Sequence, residues 1–305
     1  MSAMSSYHHK PSLHRQLMRA KVGERVLELF MVLICFVTLY PIWYTVVVSL
    51  NESADTMLGG IYWWPRKFTL DSYKAVFMDK NIIKAFNITI WRTLIATVGS
   101  VFFTSMVAYA FSKRYLFGHK FYMILGTITM FFGGGLIPYF ILIKSIGLYD
   151  TFWVYVIPGL FNFWNALIFI SFFREIPAAL EESAHIDGAN DFTIFLKIII
   201  PISTPVLATI ALFVGVWNWN DYFMGVIFVN NPDLQPIQTF LYRVIASATA
   251  SRAVVAMPVG ISGGQVNSQS VQLATMVVTT APIIVIYPFL QKYFVKGIMI
   301  GSIKG

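Results

Sequence analysis

Long apolar segments recur along the chain, and each has a length that suits a membrane-spanning helix. A bilayer core of about 30 Å requires about 20 largely apolar helical residues. Soluble proteins also bury apolar helices, but six runs of this length in one chain argue against a soluble core. The pattern therefore predicts an all-α membrane protein with six transmembrane helices, at residues 26–50, 86–111, 121–146, 152–173, 201–229 and 271–290.

The composition agrees with a membrane protein and excludes other classes. Of the 305 residues, 57% are hydrophobic and 12% are charged, whereas a soluble domain carries about 25% charged residues. Disorder is excluded because it requires low hydrophobicity. The single cysteine, Cys35, rules out an internal disulfide, and no spacing of His, Cys and carboxylates matches a metal site. The net charge of +8 is typical of basic cytoplasmic loops, so we expect no nucleic-acid partner.

The basic residues predict the orientation in the membrane. Loops on the cytoplasmic side are enriched in Lys and Arg close to the spans, and such residues are dense in the segment 1–25 and in the loop 112–120. Both termini and the segment 174–200 are therefore predicted to be cytoplasmic, with 51–84 and 230–270 outside. The chain divides into a cytoplasmic N-terminal segment at 1–25, a transmembrane domain at 26–290 and a cytoplasmic tail at 291–305.

The inward segment 174–200 contains the clearest local motif. Pro177 suits the first turn of a helix, Gly188 supplies the positive φ that ends it, and Asp191 is predicted to cap a second helix. This second helix runs into Pro201 at the start of the next span. Two short helices at the cytoplasmic face fit a docking element, but on these grounds an ordinary surface loop fits equally well.

A specific resemblance favours the docking element. The run Glu182-Ser-Ala-His-Ile-Asp-Gly-Ala189, with the downstream Pro201, resembles the EAA motif of ATP-binding-cassette (ABC) importer permeases. In that family the motif forms the coupling helix, which sits in a groove of the ATP-hydrolysing subunit. The resemblance implies a type I ABC importer transmembrane fold and an ATPase-coupling role for Glu182, Ser183, Ala184, His185, Asp187, Gly188, Ala189 and Pro201.

Two further runs resemble carbohydrate permeases of the maltose type, which depend on a binding protein. They are Trp217-Asn-Trp-Asn-Asp-Tyr-Phe223 and the tail Gln291-Lys-Tyr-Phe-Val-Lys-Gly297 with Gly301-Ser-Ile-Lys-Gly305. The overall pattern is similar to the subgroup for oligosaccharides and polyuronides. The resemblance implies a bacterial cytoplasmic membrane as the location, and as partners a second, homologous permease, two ATPase subunits that hold ATP and Mg, and a soluble sugar-binding protein.

The chain itself is not expected to hydrolyse ATP. Ile261-Ser-Gly-Gly-Gln265 imitates the signature sequence of ABC ATPases, but it lies in a predicted outward loop. The sequence has no G-x-x-x-x-G-K-[ST] phosphate loop, whose backbone N–H groups would hold the nucleotide. We therefore expect no catalytic residue and no cofactor on this chain.

Polar residues inside the predicted spans mark a candidate substrate path, because such residues usually face the interior of the helix bundle. The run 217–221 alternates aromatic rings, which stack on sugar faces, with amides and a carboxylate, which bond sugar hydroxyls. Alternatively, its tryptophans anchor the helix at the interface, and Arg92 snorkels to the outer surface. The candidate path residues are Trp217, Asn218, Trp219, Asn220, Asp221, Asn165, Asn162 and Arg92.

The third predicted span contains a glycine run, Gly133-Gly-Gly135, followed by Pro138. Small residues let helices approach closely, and they also permit bends. We predict close packing as the role of this run.

Together these observations favour the permease of a saccharide importer. An oligosaccharide is the expected substrate, and Arg92 with the outward basic residues suits an acidic one. The alternative is a stand-alone secondary transporter or a membrane enzyme. A secondary transporter is expected to show inverted repeats and several midplane ionisable groups, and an enzyme needs paired catalytic groups. Neither pattern is visible in the sequence.

Overall fold

The structure is a computed structural model that describes residues 13–113, 115–255 and 269–285. Within these residues the regular elements are helical, and one isolated antiparallel bridge joins Asn51 to Phe68. The all-α prediction is confirmed. The helices are α1 (Leu13–Ser49), α2 (Ser53–Thr56), α3 (Asp71–Met78), α4 (Lys80–Ser112), α5 (His119–Phe131), α6 (Leu136–Ser145), α7 (Phe163–Glu175), α8 (Ala178–Ile186), α9 (Asp191–Ile194), α10 (Ile200–Ile202), α11 (Thr204–Asn220), α12 (Phe223–Phe228), α13 (Ile237–Val255) and α14 (Gln269–Val285).

Two of the described helices are long and apolar enough to cross a membrane without a break. They are α1, over Gly23–Ser49, and α4, which runs for 33 residues. At 1.5 Å per residue α4 is about 50 Å long, which exceeds the hydrocarbon core of a bilayer. In α1 the most apolar stretch of 18 residues contains no buried residue, and burial among its described side chains is confined to its end at Val47, Val48 and Ser49, whereas a third of the corresponding stretch in α4 is buried. α4 is therefore the central helix of the chain.

Three other spans consist of helical pieces that meet at an angle. The axes of α5 and α6 meet at an angle of 116°. The helical segment 152–159 meets α7 at 44°, and the helical segment 191–202 meets α11 at 83°. The packing role predicted for Gly133–135 is wrong, because these residues lie in the break between α5 and α6. Gly135 has φ +84°, and no atom lies within 4 Å of a side chain built at Gly133. Because glycine has no Cβ, it adopts this left-handed conformation without steric strain.

The fifth span differs from the prediction at both ends. It begins at Thr204, after the 83° bend at Ser203, so Pro201 belongs to the preceding short helix α10. Pro205 in its first turn is tolerated because the first N–H groups of a helix lack partners. The span ends at Asn220, since the Asp221 carboxylate accepts backbone N–H groups and starts α12.

The last third of the chain also contains a helix that the sequence did not predict. The segment 230–270, which was predicted to lie outside, contains α13, a helix of 19 residues. The sixth predicted span corresponds to α14, and its residues 286–290 lie outside the described part of the chain. The tail at 291–305, the run 261–265 and residues 1–12 of the N-terminal segment lie outside it as well.

The main apolar core forms where α4, α7 and the turn after α9 meet near one end of the bundle. Phe169, Phe173 and Phe195 are buried there with Tyr109. The Tyr109 ring lies 5.5 Å from that of Phe195 and 6.2 Å from that of Phe173. Aromatic packing of this kind joins a span to the segment that follows α8.

Candidate functional site

Six of the eight predicted path residues line one cavity of about 460 Å³ between α4, α7 and α11. The first part of the site is therefore a single space inside the helix bundle, with aromatic rings, amides and one ion pair on its wall. Its predicted lining residues are Arg92, Asn162, Asn165, Trp217, Asn218 and Asp221.

An ion pair between α4 and the end of α11 lies in the wall of this cavity. Nη2 of Arg92 donates to Oδ2 of Asp221 at 2.6 Å, and Nη1 donates to the Asp221 backbone carbonyl at 3.1 Å. The Arg92 side chain is 1% exposed, which excludes the alternative that it snorkels to the outer surface and agrees with its predicted place in the cavity. Asp221 holds it from across the bundle.

The ring of Tyr155 supports the arginine from the other side. The Arg92 guanidinium carbon lies 4.4 Å from the ring centroid, which is cation–π geometry. The Tyr155 hydroxyl donates to the Leu234 carbonyl at 3.0 Å, which fixes the ring. Nε of Arg92 has no hydrogen-bond partner among the described residues. The arginine is thus held rigidly and keeps one donor in reserve.

The other predicted residues of the cavity differ in whether their side chains already have hydrogen-bond partners. The side-chain oxygen of Asn162 caps α7 by accepting from the Asn165 N–H at 3.0 Å, and the Asn218 amide donates to the Val214 carbonyl at 2.9 Å. Trp217 is 75% exposed. Its ring is therefore a free apolar face, whereas the asparagines have backbone partners.

Trp219 and Asn220 do not line this cavity. The Trp219 indole N–H donates to the Thr279 carbonyl of α14 at 3.3 Å, so its role is packing between helices. Asn220 and Trp217 line a second, more apolar recess of about 880 Å³ together with residues such as Leu212 and Ile283. Neighbours on a helix point to different faces, which separates the members of the run.

The sequence reasoning missed several wall residues, including Tyr139, Tyr155 and Ser100. A signal for the buried face of α4 was present in the sequence. Small and polar residues recur there every three or four positions, which is the spacing of one helix face. These residues are Thr89, Arg92, Ala96, Ser100, Thr104 and Ala108, and all six are buried.

The second part of the site is the segment around α8. The break after it forms as predicted, because Gly188 has φ +83° and the Ala189 N–H donates back to the Ala184 carbonyl at 2.9 Å. Asn190 rather than Asp191 caps the next helix, since its side chain accepts from the Thr193 N–H at 2.8 Å. An amide oxygen one position earlier reaches that N–H.

The predicted coupling residues lie on α8, in the turn that follows it and, for Pro201, on α10. Ala184 and Ala189 pack against the chain's own apolar core. The remaining residues point away from it, and Ile186 is 86% exposed. His185 makes local contacts only, with Nδ1 3.2 Å from the Ala189 carbonyl and Nε2 3.4 Å from the Asp191 carboxylate. The exposed set is Glu182, Ser183, His185, Asp187, Gly188 and Pro201.

The chain is similar to a known protein family and to individual transport proteins. Residues 17–300 match the family described as "Binding-protein-dependent transport system inner membrane component". The chain is 35% identical over 288 residues to the polygalacturonan/rhamnogalacturonan transport system permease protein YtcP of Bacillus subtilis, which covers 94% of this chain and 100% of YtcP. It is 36% identical over 271 residues to the protein LplC of Bacillus subtilis, which covers 88% of this chain and 90% of LplC.

Among solved structures, a bacterial ABC transporter involved in the import of the acidic polysaccharide alginate contains a similar chain. The two superpose with a TM-score of 0.79 at 28% sequence identity. The match covers 94% of this chain and 99% of the other.

Proposed function

Since this chain belongs to the family of binding-protein-dependent transport system inner membrane components, we propose that it forms half of the translocation path for an acidic oligosaccharide. The chain is a carbohydrate permease of an ABC importer with the type I fold, as its relatives and the structural match establish. The family match favours this function over a secondary transporter or a membrane enzyme.

The observation that carries the proposal is the cavity that joins the Arg92–Asp221 pair to the exposed ring of Trp217. A flat ring stacks on the C–H face of a sugar, while a carboxylate and a guanidinium bond its hydroxyls. With these groups on one wall, a saccharide is recognised by its face and by its edge.

Arg92 also supports an anionic substrate. A guanidinium forms charge-assisted hydrogen bonds with a carboxylate, and these are about twice as strong as neutral ones. Arg92 Nε lies buried in the cavity wall and has no hydrogen-bond partner among the described residues. Two relatives are named for polygalacturonan and alginate transport systems, which agrees with a uronate among the substrates.

The partners follow from the exposed side of α8. We place an ATPase subunit on Glu182, Ser183 and His185, while the Gly188 turn sets the direction in which the chain continues from α8 to α9. A second, homologous permease completes the path, two ATPase subunits carry ATP and Mg, and a soluble binding protein delivers the sugar. This chain supplies no cofactor, since its sequence lacks a phosphate loop.

We further propose that both termini and α8 face the cytoplasm. The family is an inner-membrane component, and the basic loop at 112–120 lies beside α8, as the Lys113–Glu181 ion pair shows for its first residues. The divisions at 1–25, 26–290 and 291–305 are part of this proposal, and under this orientation the Arg92 end of α4 is the outer end.

The proposal is tested by uptake into proteoliposomes that contain the complete complex. Oligogalacturonate and a neutral glucose oligosaccharide of equal length are compared, each delivered by the binding protein. Loss of a hydrogen bond to a charged group is worth about 1.5–3 kcal/mol, so Arg92→Gln should lower oligogalacturonate uptake about tenfold or more. Trp219→Phe, which lies outside the cavity, is the matched control. Equal uptake of both sugars by the wild type would remove the acidic assignment, and absence of ATP-driven uptake of either would remove the permease function.

A further inference from the structure

An ion pair at the cytoplasmic end of α4 joins this helix to α8. Lys113, the residue after α4, pairs through Nζ with Oε2 of Glu181 in the first turn of α8. The two side chains are 15% and 17% exposed, so the pair is largely buried. By comparison, the side chains of the ion pair Lys74–Asp71 are 65% and 75% exposed.

Tyr109 completes this contact from within α4. Its hydroxyl donates to Oε2 of Glu181 at 3.3 Å, and the Lys113 ammonium lies 4.2 Å from its ring centroid. Because the ring also packs against Phe173 and Phe195, it is held on both sides. The carboxylate of Glu181 therefore meets a preformed site with one charge and one hydroxyl donor.

Glu181 faces the opposite way from its neighbour in the sequence. Glu181 and Ala184 are three residues apart, which puts them on one face of α8, and both are turned toward the body of the chain. Glu182 is exposed on the other side. One carboxylate is thus available to a partner protein, and the other is already used inside this chain.

Among the ion pairs of the described residues, Lys113–Glu181 is the one that links α8 to a membrane-spanning helix. The other pair on α8, between His185 and Asp191, is local. On its C-terminal side α8 connects to α11 only through the 83° bend at Ser203. A displacement that follows this part of the chain is absorbed at the bend, whereas one that enters at Lys113 acts on the end of an unbroken helix.

We propose that Glu181 is a positioning residue that ties α8 to α4 and thereby passes movement of α8 to the helix that carries Arg92. Seventeen residues separate Tyr109 from Arg92 along this continuous helix, which is about 26 Å of rigid rod. The inference rests on the proposed function, because movement of α8 is taken to come from a docked ATPase.

The decisive variants remove the tie without leaving a buried charge. A single change such as Glu181→Gln strands the ammonium of Lys113, and stranded buried charges destabilise a fold. The double variant Glu181→Gln with Lys113→Met avoids this problem. The charge exchange Glu181→Lys with Lys113→Glu restores the attraction in reverse. Matched controls are Lys120→Met and Glu175→Gln, which alter exposed residues of the same cytoplasmic face.

The measurement is the number of sugar molecules taken up per ATP hydrolysed by the complete complex in proteoliposomes. Site–site coupling is typically worth 5–150-fold, so the double variant should lower this ratio at least about fivefold, with normal amounts of assembled complex. The charge exchange should return the ratio to within about twofold of the wild type. Both controls should keep the wild-type ratio.

Two outcomes would overturn the inference. One is a wild-type ratio in the assembled double variant, which would make the pair a contact for assembly alone. The other is a charge exchange that stays as poorly coupled as the double variant. Both are distinct from failure of the proposed function, in which the wild-type complex itself shows no ATP-driven uptake.

Discussion

Arg92 and Asp221 hold two parts of the bundle together, so removing either charge should destabilise the assembled transporter. Arg92 is 1% exposed and Asp221 12%, which leaves almost no water to solvate a partner left alone. Breaking a buried pair in this way costs about 3–5 kcal/mol. We expect this cost for Arg92→Met and for Asp221→Asn.

Asp221 has a second task that can be separated from the first. Its Oδ1 accepts from the N–H groups of Phe223 and Met224 at 3.0 and 3.3 Å, which caps α12. Asparagine keeps an oxygen for this cap, but alanine does not, and losing a cap costs about 1 kcal/mol. Asp221→Ala should therefore be about 1 kcal/mol less stable than Asp221→Asn.

Equilibrium unfolding of the purified complex in mixed micelles measures these differences. The double variant Arg92→Met with Asp221→Asn leaves no stranded charge, so it should lose at least about 1 kcal/mol less than the sum of the single variants. Strict additivity would refute the reasoning, because it would mean that the two charges do not interact. Uptake should fall in all of these variants, whether or not stability is recovered.

Three other predictions concern single positions. Gly188→Ala places an alanine at a left-handed φ of +83°, which costs about 1–2 kcal/mol and should lower the sugar uptake per ATP hydrolysed. The control Gly147→Ala, at φ +74° after α6, should cost the same stability and leave the uptake per ATP unchanged. Equal uptake per ATP in the two variants would contradict this. A side chain at Gly126 would lie 2.0 Å from the Phe163 ring, so Gly126→Ala should destabilise the complex by about 1–3 kcal/mol in the same unfolding assay, whereas Gly133→Ala, with open space around it, should stay within about 0.5 kcal/mol of the wild type. The hydrogen bond from Asn51, together with Arg66, holds the pKa of Asp55 below its ordinary value of 3.8. The Asp55 carboxylate therefore stabilises α2 fully above pH 3.8, and this stabilisation is lost as the pH falls through the lowered pKa. Hydrogen exchange of residues 51–66 should show this loss in the wild type but not in Asp55→Asn.

The approximate positions of the apolar segments could be predicted from the sequence because hydrophobicity is a local property, but the bends within three of them could not. The break at Gly188 was also readable, since a glycine after a helix signals a left-handed residue. The glycines at 133–135 were misjudged for a related reason. Glycine permits both close packing and a turn, and only the surroundings decide between them.

The Arg92–Asp221 pair could not be read from the sequence, because 129 residues separate its members. Both residues were predicted to line the substrate path, but nothing in the sequence indicated that they contact each other. Their contact depends on α4 and α11 packing side by side. Glu181 was overlooked for a different reason, since the motif drew attention to Glu182 and the face of α8 that each residue occupies depends on Lys113.

Insertion of the chain during synthesis should reflect the contrast between α4 and the broken spans. α5 and α6 have 13 and 10 residues, and neither can cross about 30 Å of hydrocarbon alone. Backbone groups at such breaks need partners inside the membrane. The Thr104 hydroxyl of α4 provides one by donating to the Leu160 carbonyl at 3.1 Å, just before α7. Because α4 is synthesised before the segment around Leu160, the Thr104 hydroxyl is in the bilayer before the carbonyl that requires it. We therefore expect α4 to serve as a template against which the later helical pieces pack.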